Sequence, residues 1–254
     1  MWQITSPEGT KSFLFGTMHV RDLQAFTGLD QVLRCIDQSD RYYSEIEMDT
    51  SGPGALIEFQ KFPEGKDLTD LISGHKYQRL RRSILRSFGL NIDHFSHLYP
   101  MIIANLIQTS ILSQASDVIM DYHLYRYASN QGKEMRYLES QKEQLRLFHS
   151  IPMEYQVRSL LTLGRHPAKA KKQIMSLLTD YSEKNIRLLY QRSRKQLGKL
   201  RHVLLYQRNR DMAQLLIEEL NSNSGFVGVG AAHLFGSKGI LRLMKKSGFK
   251  IQPL

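Results

Sequence analysis

The sequence predicts an α/β protein whose single sheet is assembled from strands near both ends of the chain, with a large α-helical insertion between them. Residues 12–20 read Ser-Phe-Leu-Phe-Gly-Thr-Met-His-Val and residues 225–233 read Gly-Phe-Val-Gly-Val-Gly-Ala-Ala-His. An apolar run thus stops twice at a glycine and offers a histidine three residues later. From Gly54 to about Leu220, by contrast, apolar residues recur at the i, i+3, i+4 spacing of packed helices. Strand–loop–helix order at both termini argues for one sheet built from residues far apart in sequence. A single domain over residues 1–254 is expected, with its sheet core in 1–53, 133–140 and 224–254 and a helical cap at about 54–132 and 141–223.

Taken in order, Trp2 to Thr5 and Ser12 to Phe15 flank Ser6-Pro7-Glu8-Gly9, whose Pro and Gly suit a tight turn and predict a β-hairpin. Asp30 to Ile36 carries Val32, Leu33 and Ile36 at helical spacing. Arg41 to Glu47 is aromatic and β-branched enough to be a strand, and its period of two places Glu45 and Glu47 on one face. Helices are expected at His75–Phe88, Leu98–Leu112 and Asp117–Asn130, then a short strand at Met135–Leu138 that ends at Glu139. Gln141–Phe148, Met153–Leu163, Ala168–Thr179 and Ser182–Leu220 read as further helices, the last with a break near Gly198. Gly225–Val229 returns to strand, Lys238–Lys246 is a helix and Phe249–Gln252 a closing strand.

Composition narrows the chemistry. A single cysteine, Cys35, excludes an intramolecular disulfide and a Cys-based metal site, and its apolar helical setting marks it as a small core residue. No apolar run reaches the ~18 residues of a membrane helix. With no leader ahead of Trp2, the sequence reads as cytoplasmic unless an export segment was removed. The formal net charge of +11 raises the question of nucleic acid. Much of that charge lies in Arg79–Arg86 and Arg187–His202, which read as solvated helix faces, so nucleic acid is not the expected partner.

The site is expected where strands end, because ligands of such sheets bind outside the carboxyl ends of the strands. His19, Glu45, Glu139 and His233 each fall at or just past such an end. Gly16 and Gly230 are expected to take backbone angles closed to other residues, turning the chain so that each imidazole faces back over the sheet. His123, His149, His166 and His202 read as surface or packing residues.

Six stretches in order resemble one family, the TraB/PrgY and GumN group to which the Tiki peptidases belong. They are Phe-Leu-Phe-Gly-Thr-Met-His-Val at 13–20, Ser-Glu-Ile-Glu at 44–47, Met-Asp-Tyr-His-Leu at 120–124 and Met-Arg-Tyr-Leu-Glu-Ser-Gln-Lys-Glu-Gln-Leu at 135–145. Gln-Arg-Asn-Arg-Asp-Met-Ala at 207–213 and Gly-Val-Gly-Ala-Ala-His-Leu-Phe-Gly at 228–236 complete the set. The resemblance implies duplicated Gly-x-x-His units around one sheet, a helical cap, and a site of His19, Glu45, Arg208 and His233. It implies a metal-dependent peptidase for the Tiki members, metal-free hydrolysis for the distant erythromycin-esterase relatives, and haem binding for ChaN. Many members are exported or anchored, which this sequence does not signal, so an extracellular substrate is not carried over.

Two neutral imidazoles and a carboxylate, His19, His233 and Glu45, could hold a divalent Mn, Co or Zn ion. Such an ion would lower the pKa of bound water and polarise a carbonyl. Glu47, Asp121 or Glu139 could support these groups from behind or carry a proton. Without a metal, one histidine would act as general base while Arg208 stabilises an oxyanion. The expected function is therefore a hydrolase of a peptide or small molecule, most simply a metallopeptidase. A metal-independent ester or amide hydrolase and a non-catalytic binder of a peptide or haem-like ligand are the alternatives. The sequence assigns no oligomeric state.

Overall fold

The computed structural model describes residues 1–48, 60–112 and 116–254. In chain order the elements are β1 (Trp2–Thr5), β2 (Lys11–Thr17), α1 (Leu29–Asp37), β3 (Arg41–Ser44), α2 (Gly74–Phe88), α3 (Pro100–Thr109), α4 (Met120–Asn130) and β4 (Glu134–Tyr137). There follow α5 (Gln141–His149), α6 (Met153–Arg165), α7 (Pro167–Ser182), α8 (Ile186–Leu197), α9 (Arg208–Glu219), β5 (Gly225–Gly230), α10 (Ile240–Lys246) and β6 (Lys250–Pro253). The fold is mixed α/β, as the sequence predicts. Part of the expected start of the helical region, Gly54 onward, lies outside the described residues. Among the described residues, no helix is long and apolar enough to cross a membrane.

The chain divides into two compact units, one of residues 1–48, 115–147 and 178–254, the other of residues 49–114 and 148–177. The first holds the sheet, whose strand order is β4-β3-β5-β2-β1-β6. β1 and β2 form the predicted hairpin, with Trp2 opposite Leu14 and Thr5 opposite Lys11. β2, β5, β3 and β4 are mutually parallel, so their carboxyl ends share one edge. β5 lies between β2 and β3 although 181 residues (225 − 44) separate it from β3 in the chain. The two Gly-x-x-His motifs therefore leave adjacent strands at the same edge, with Gly16 opposite Val229 and Thr17 opposite Gly230.

β5 is buried on both faces because Phe226 stacks on Tyr42 on one side while Val227 and Val229 enter a core with Ile4, Leu14, Tyr43, Met212 and Leu216 on the other. Fully burying each such aliphatic side chain is worth about 1.5–3 kcal/mol. β3 is shorter than predicted: the strand ends at Ser44, and one last backbone bond runs from the Glu139 amide to the Glu45 carbonyl at 2.8 Å. The chain bends where the Ser44 hydroxyl donates to the Ile46 carbonyl at 2.8 Å. That bend breaks the alternation that would have put Glu45 and Glu47 on one face.

The second unit is helical. Leu80 and Ile84 of α2, Ile103 and Ile107 of α3, and Leu160 and Leu163 of α6 form its core with Leu68, Ile92 and Leu98. Asp67 caps the turn at Leu68–Asp70 reciprocally with Asp70, which satisfies two otherwise orphaned amides.

Candidate functional site

Along the shared sheet edge, Glu139 follows β4, Glu45 follows β3, the turn bearing His233 follows β5, and His19 follows β2. Arg208 reaches the first three of these from α9. Its Nε donates to Glu139 Oε1 at 2.7 Å and its Nη2 donates to Glu139 Oε2 and Glu45 Oε2, both at 2.6 Å. Gln144 adds a bond to Glu139 Oε2 at 3.2 Å. Among the described residues, the remaining amino group, Nη1, makes only long contacts, 3.4 Å to His233 Nε2 and 3.5 Å to the Leu204 carbonyl. Two carboxylates raise the Arg208 pKa above its ordinary value despite burial. Glu45 is also held by the Gly230 amide, which donates to Oε1 at 2.7 Å. Burial alone would push the Glu45 carboxyl up; the charge of His233 when protonated, Arg208 and the Gly230 amide outweigh it and hold the pKa at about 2.

His233 is buried in a single 3-10 turn, Ala231–His233, that continues directly from β5. Its Nδ1 lies 2.6 Å from Asn209 Oδ1, and the Asn209 amide nitrogen donates to the Lys238 carbonyl at 2.8 Å. Because the Asn209 NH2 is committed to a carbonyl, its oxygen faces the ring and must accept. The Nδ1 therefore carries the proton and Nε2 keeps its lone pair, facing Arg208 Nη1 and, at 3.9 Å, Glu45 Oε1. Burial lowers the His233 pKa below its ordinary value, outweighing the attraction of Glu45. Burial thus favours the neutral ring.

His19 is built differently. Its side chain is 66% exposed, against 8% for His233. Nδ1 lies 3.5 Å from Asp121 Oδ2 in the first turn of α4. Thr17 donates to Asp121 Oδ1 at 2.5 Å, and the Met120 amide donates to the Val20 carbonyl, fixing α4 to this loop. The Tyr181 hydroxyl donates to the Gly16 carbonyl at 2.8 Å and secures the strand end. Partial burial opposes the charged imidazole, but the Asp121 carboxylate, with help from Glu45, raises its pKa above the ordinary value.

The structure thus brings Glu45, Glu139, Arg208 and His233 into one bonded cluster and pairs His19 with Asp121. Glu47 is exposed, and its carbonyl accepts from Gln141 at 3.4 Å. The role expected for the motif glycines needs correction, since neither Gly16 nor Gly230 has a positive φ. Their requirement is room. A Cβ on Gly16 would stand 2.7 Å from Leu234 Cδ1 and 3.0 Å from Ala231 Cα, and one on Gly230 would stand 3.1 Å from Glu45 Oε1.

Sequence reasoning did not find Asn209. A signal was present: Asn209, Met212, Ala213 and Leu216 are the buried face of α9, so an amide interrupts an apolar i, i+3, i+4, i+7 stripe. Nor was the π-helical turn His202–Gln207 foreseen, just ahead of Arg208, where such turns often mark functional sites.

A metal held by His19, Glu45 and His233 would need all three donors within about 2.0–2.2 Å of one point. Glu45 Oε1 and His233 Nε2 are close enough as a pair. However, both Glu45 oxygens are engaged by Gly230 and Arg208, and a guanidinium nitrogen stands beside Nε2. Among the described residues, no group of three or more His, Cys, Asp or Glu is placed to hold a metal ion. As arranged, these residues do not fit a resident metal, and Arg208 supplies the positive charge instead.

The fold and site define an α/β protein with a carboxylate–guanidinium–imidazole cluster at the carboxyl edge of its sheet. The chain belongs to the TraB/PrgY/gumN family, whose model matches residues 1–253. It is also 20% identical over 299 aligned positions to the Metalloprotease TIKI2 of Xenopus tropicalis, across 95% of this chain and 57% of that protein. The chain therefore spans little more than half the length of this curated relative. No solved structure matches it significantly.

Proposed function

We propose that the chain is a hydrolase of amide or ester bonds, with a peptide as the substrate class that its family relationship favours. The observation that carries this reading is His233: buried, neutral and locked by Asn209 so that an unprotonated Nε2 faces a guanidinium. In this reading His233 Nε2 takes a proton from water as its oxygen attacks the substrate carbonyl. Arg208 Nη1, the amino group not committed to a carboxylate, donates to the developing oxyanion. His19, whose protonated form the Asp121 carboxylate favours, delivers a proton to the leaving nitrogen or oxygen. Two imidazoles that follow adjacent strands, with pKa values pushed in opposite directions, suit a base and an acid.

Turnover of a fluorogenic peptide and ester library by the wild type and by His233→Ala, with circular dichroism as a folding control, tests this. Wild-type turnover lost in the variant is expected. Equal turnover in both would remove His233 from the chemistry. A metal-dependent peptidase using His19, Glu45 and His233 as ligands for Mn, Co or Zn is the second reading, favoured by the name of the Xenopus relative. It requires Arg208 to release Glu45. Elemental analysis of the purified protein and calorimetric titration with each ion decide between the two.

A further inference from the structure

Residues 184–254 hold fourteen Lys and Arg against three Asp and Glu, Asp211, Glu218 and Glu219, a difference of +11 that equals the net charge of the whole chain. Residues 1–183 hold 21 of each sign and are neutral. The excess lies in the unit that contains the candidate site, and from Lys184 to Arg210 there is no acidic residue. Arg192 is neutralised by Asp180 at 2.6 Å, and Arg208 by its two glutamates. Among the described residues, Arg187, Arg194, Lys195, Lys199 and Arg201 have no carboxylate within 4.0 Å.

These cations sit on the elements that build the site. α8 packs on the turn that bears His233, and the Tyr190 side chain closes against Gly236, three residues beyond it. The Tyr190 hydroxyl, whose pKa is raised first by burial and then by Tyr206, faces the π-helical turn that ends just before Arg208. Arg194 lies over the Tyr190 ring at 5.9 Å and Lys238 over the Tyr206 ring at 4.9 Å. Arg194, Lys195, Lys199 and Lys238 are all exposed.

We propose that this surface is a docking track for an acidic peptide segment, so that the neighbouring site acts on negatively charged polypeptides. The proposal rests on the hydrolase reading only for that last clause. The twelve residues of α8 run about 18 Å, which matches five or six residues of extended chain at ~3.3 Å each, so the track suits a row of carboxylates rather than a single anion. A nucleic acid fits less well, because single strands bind by stacking bases on free aromatic faces. Here the tyrosines are already engaged with Arg194 and Lys238, and His202 packs edge-on to Tyr206.

Fluorescence anisotropy with a labelled Glu/Asp-rich decapeptide, a Gly/Ser decapeptide and a ten-nucleotide oligothymidylate tests the proposal. The proteins are the wild type, R194E/K195E/K199E, the milder R194Q/K195Q/K199Q, and the control K76E/R79E/R82E, whose exposed residues lie on α2. The acidic decapeptide should bind the wild type with an affinity that falls as salt rises. That affinity should drop at least tenfold in the glutamate variant, by a lesser factor in the glutamine variant, and less than twofold in the control. Equal losses in the two charge reversals, or tighter binding of the oligonucleotide than of the peptide, would overturn the track. His233→Ala separates the two readings. Retained acidic-peptide binding by this variant, with no turnover by the wild type, sinks the hydrolase and leaves the track. Wild-type turnover that is indifferent to substrate charge and to the α8 reversal sinks the track and leaves the hydrolase.

Discussion

The two Gly-x-x-His motifs are nearly one sentence written twice, and the fold reads them in opposite senses. Both leave parallel neighbouring strands at the same edge. His233 is then covered by α8, bonded to Asn209 and driven below its ordinary pKa, whereas His19 stays open to solvent beside Asp121 and is driven above it. A strand-end motif fixes where a side chain emerges. The elements that close over it decide its protonation.

The largest effect should separate the two histidines by activity. His233→Ala is expected to lower kcat/KM by about 10²–10⁴-fold, and His19→Ala by a smaller factor, as befits a base that starts the reaction and an acid open to replacement by water. Steady-state kinetics on one peptide substrate checks this, and equal losses would break the comparison. Next in size is Arg208→Ala, which strands Glu45 and Glu139 without their partner and should destabilise the fold by about 3–5 kcal/mol in urea unfolding. Arg210→Ala, exposed two residues further along, should stay within about 0.5 kcal/mol.

Glu45 gives a third, somewhat smaller effect. Its folded pKa of about 2 lies below the ordinary 4.5, so its contribution is complete above pH 4.5 and is lost as pH falls toward 2. The part that persists once His233 has lost its proton is carried by Arg208 and the Gly230 amide. Glu45→Gln should flatten the acid limb of stability measured by thermal melts between pH 2 and 5. The finest test is the pair of titrations themselves. Histidine ring NMR should place His233 below 6.5 and His19 above it, and Asn209→Leu should erase the Nδ1–H signature of His233 while leaving the His19 titration in place. Kinetically the same two groups give a bell: kcat/KM rises as pH climbs through the lowered value of His233 and falls through the raised value of His19.

Much of this was legible in the chain. The hairpin, the strands at 135 and 225 and the strand-end placement of His19, Glu45, Glu139 and His233 follow from periodicity and turn residues, because those properties are local. The motif arginine was visible only by resemblance, since in isolation Arg208 is one cation among many on a basic stretch. Asn209 went unseen because its meaning depends on a histidine 24 residues away and on a carbonyl at Lys238. Glu47 was paired with Glu45 by an alternation that the bend after Ser44 ends. The motif glycines suggest a torsional need, but their requirement, the approach of Leu234 and of the Glu45 carboxylate, exists only once distant strands have met.

The position of β5 also sets a timetable for biosynthesis. The strand that joins the two halves of the sheet is made 181 residues (225 − 44) after β3, about 9–36 s later at a ribosomal speed of ~5–20 residues per second. Through that interval β2 and β3 have been synthesised without the neighbour that belongs between them, and each offers an open edge to other chains. Translation slowed upstream of residue 225 should therefore favour aggregation, and a holdase acting on the nascent chain should matter more for this protein than for one whose central strand is made first.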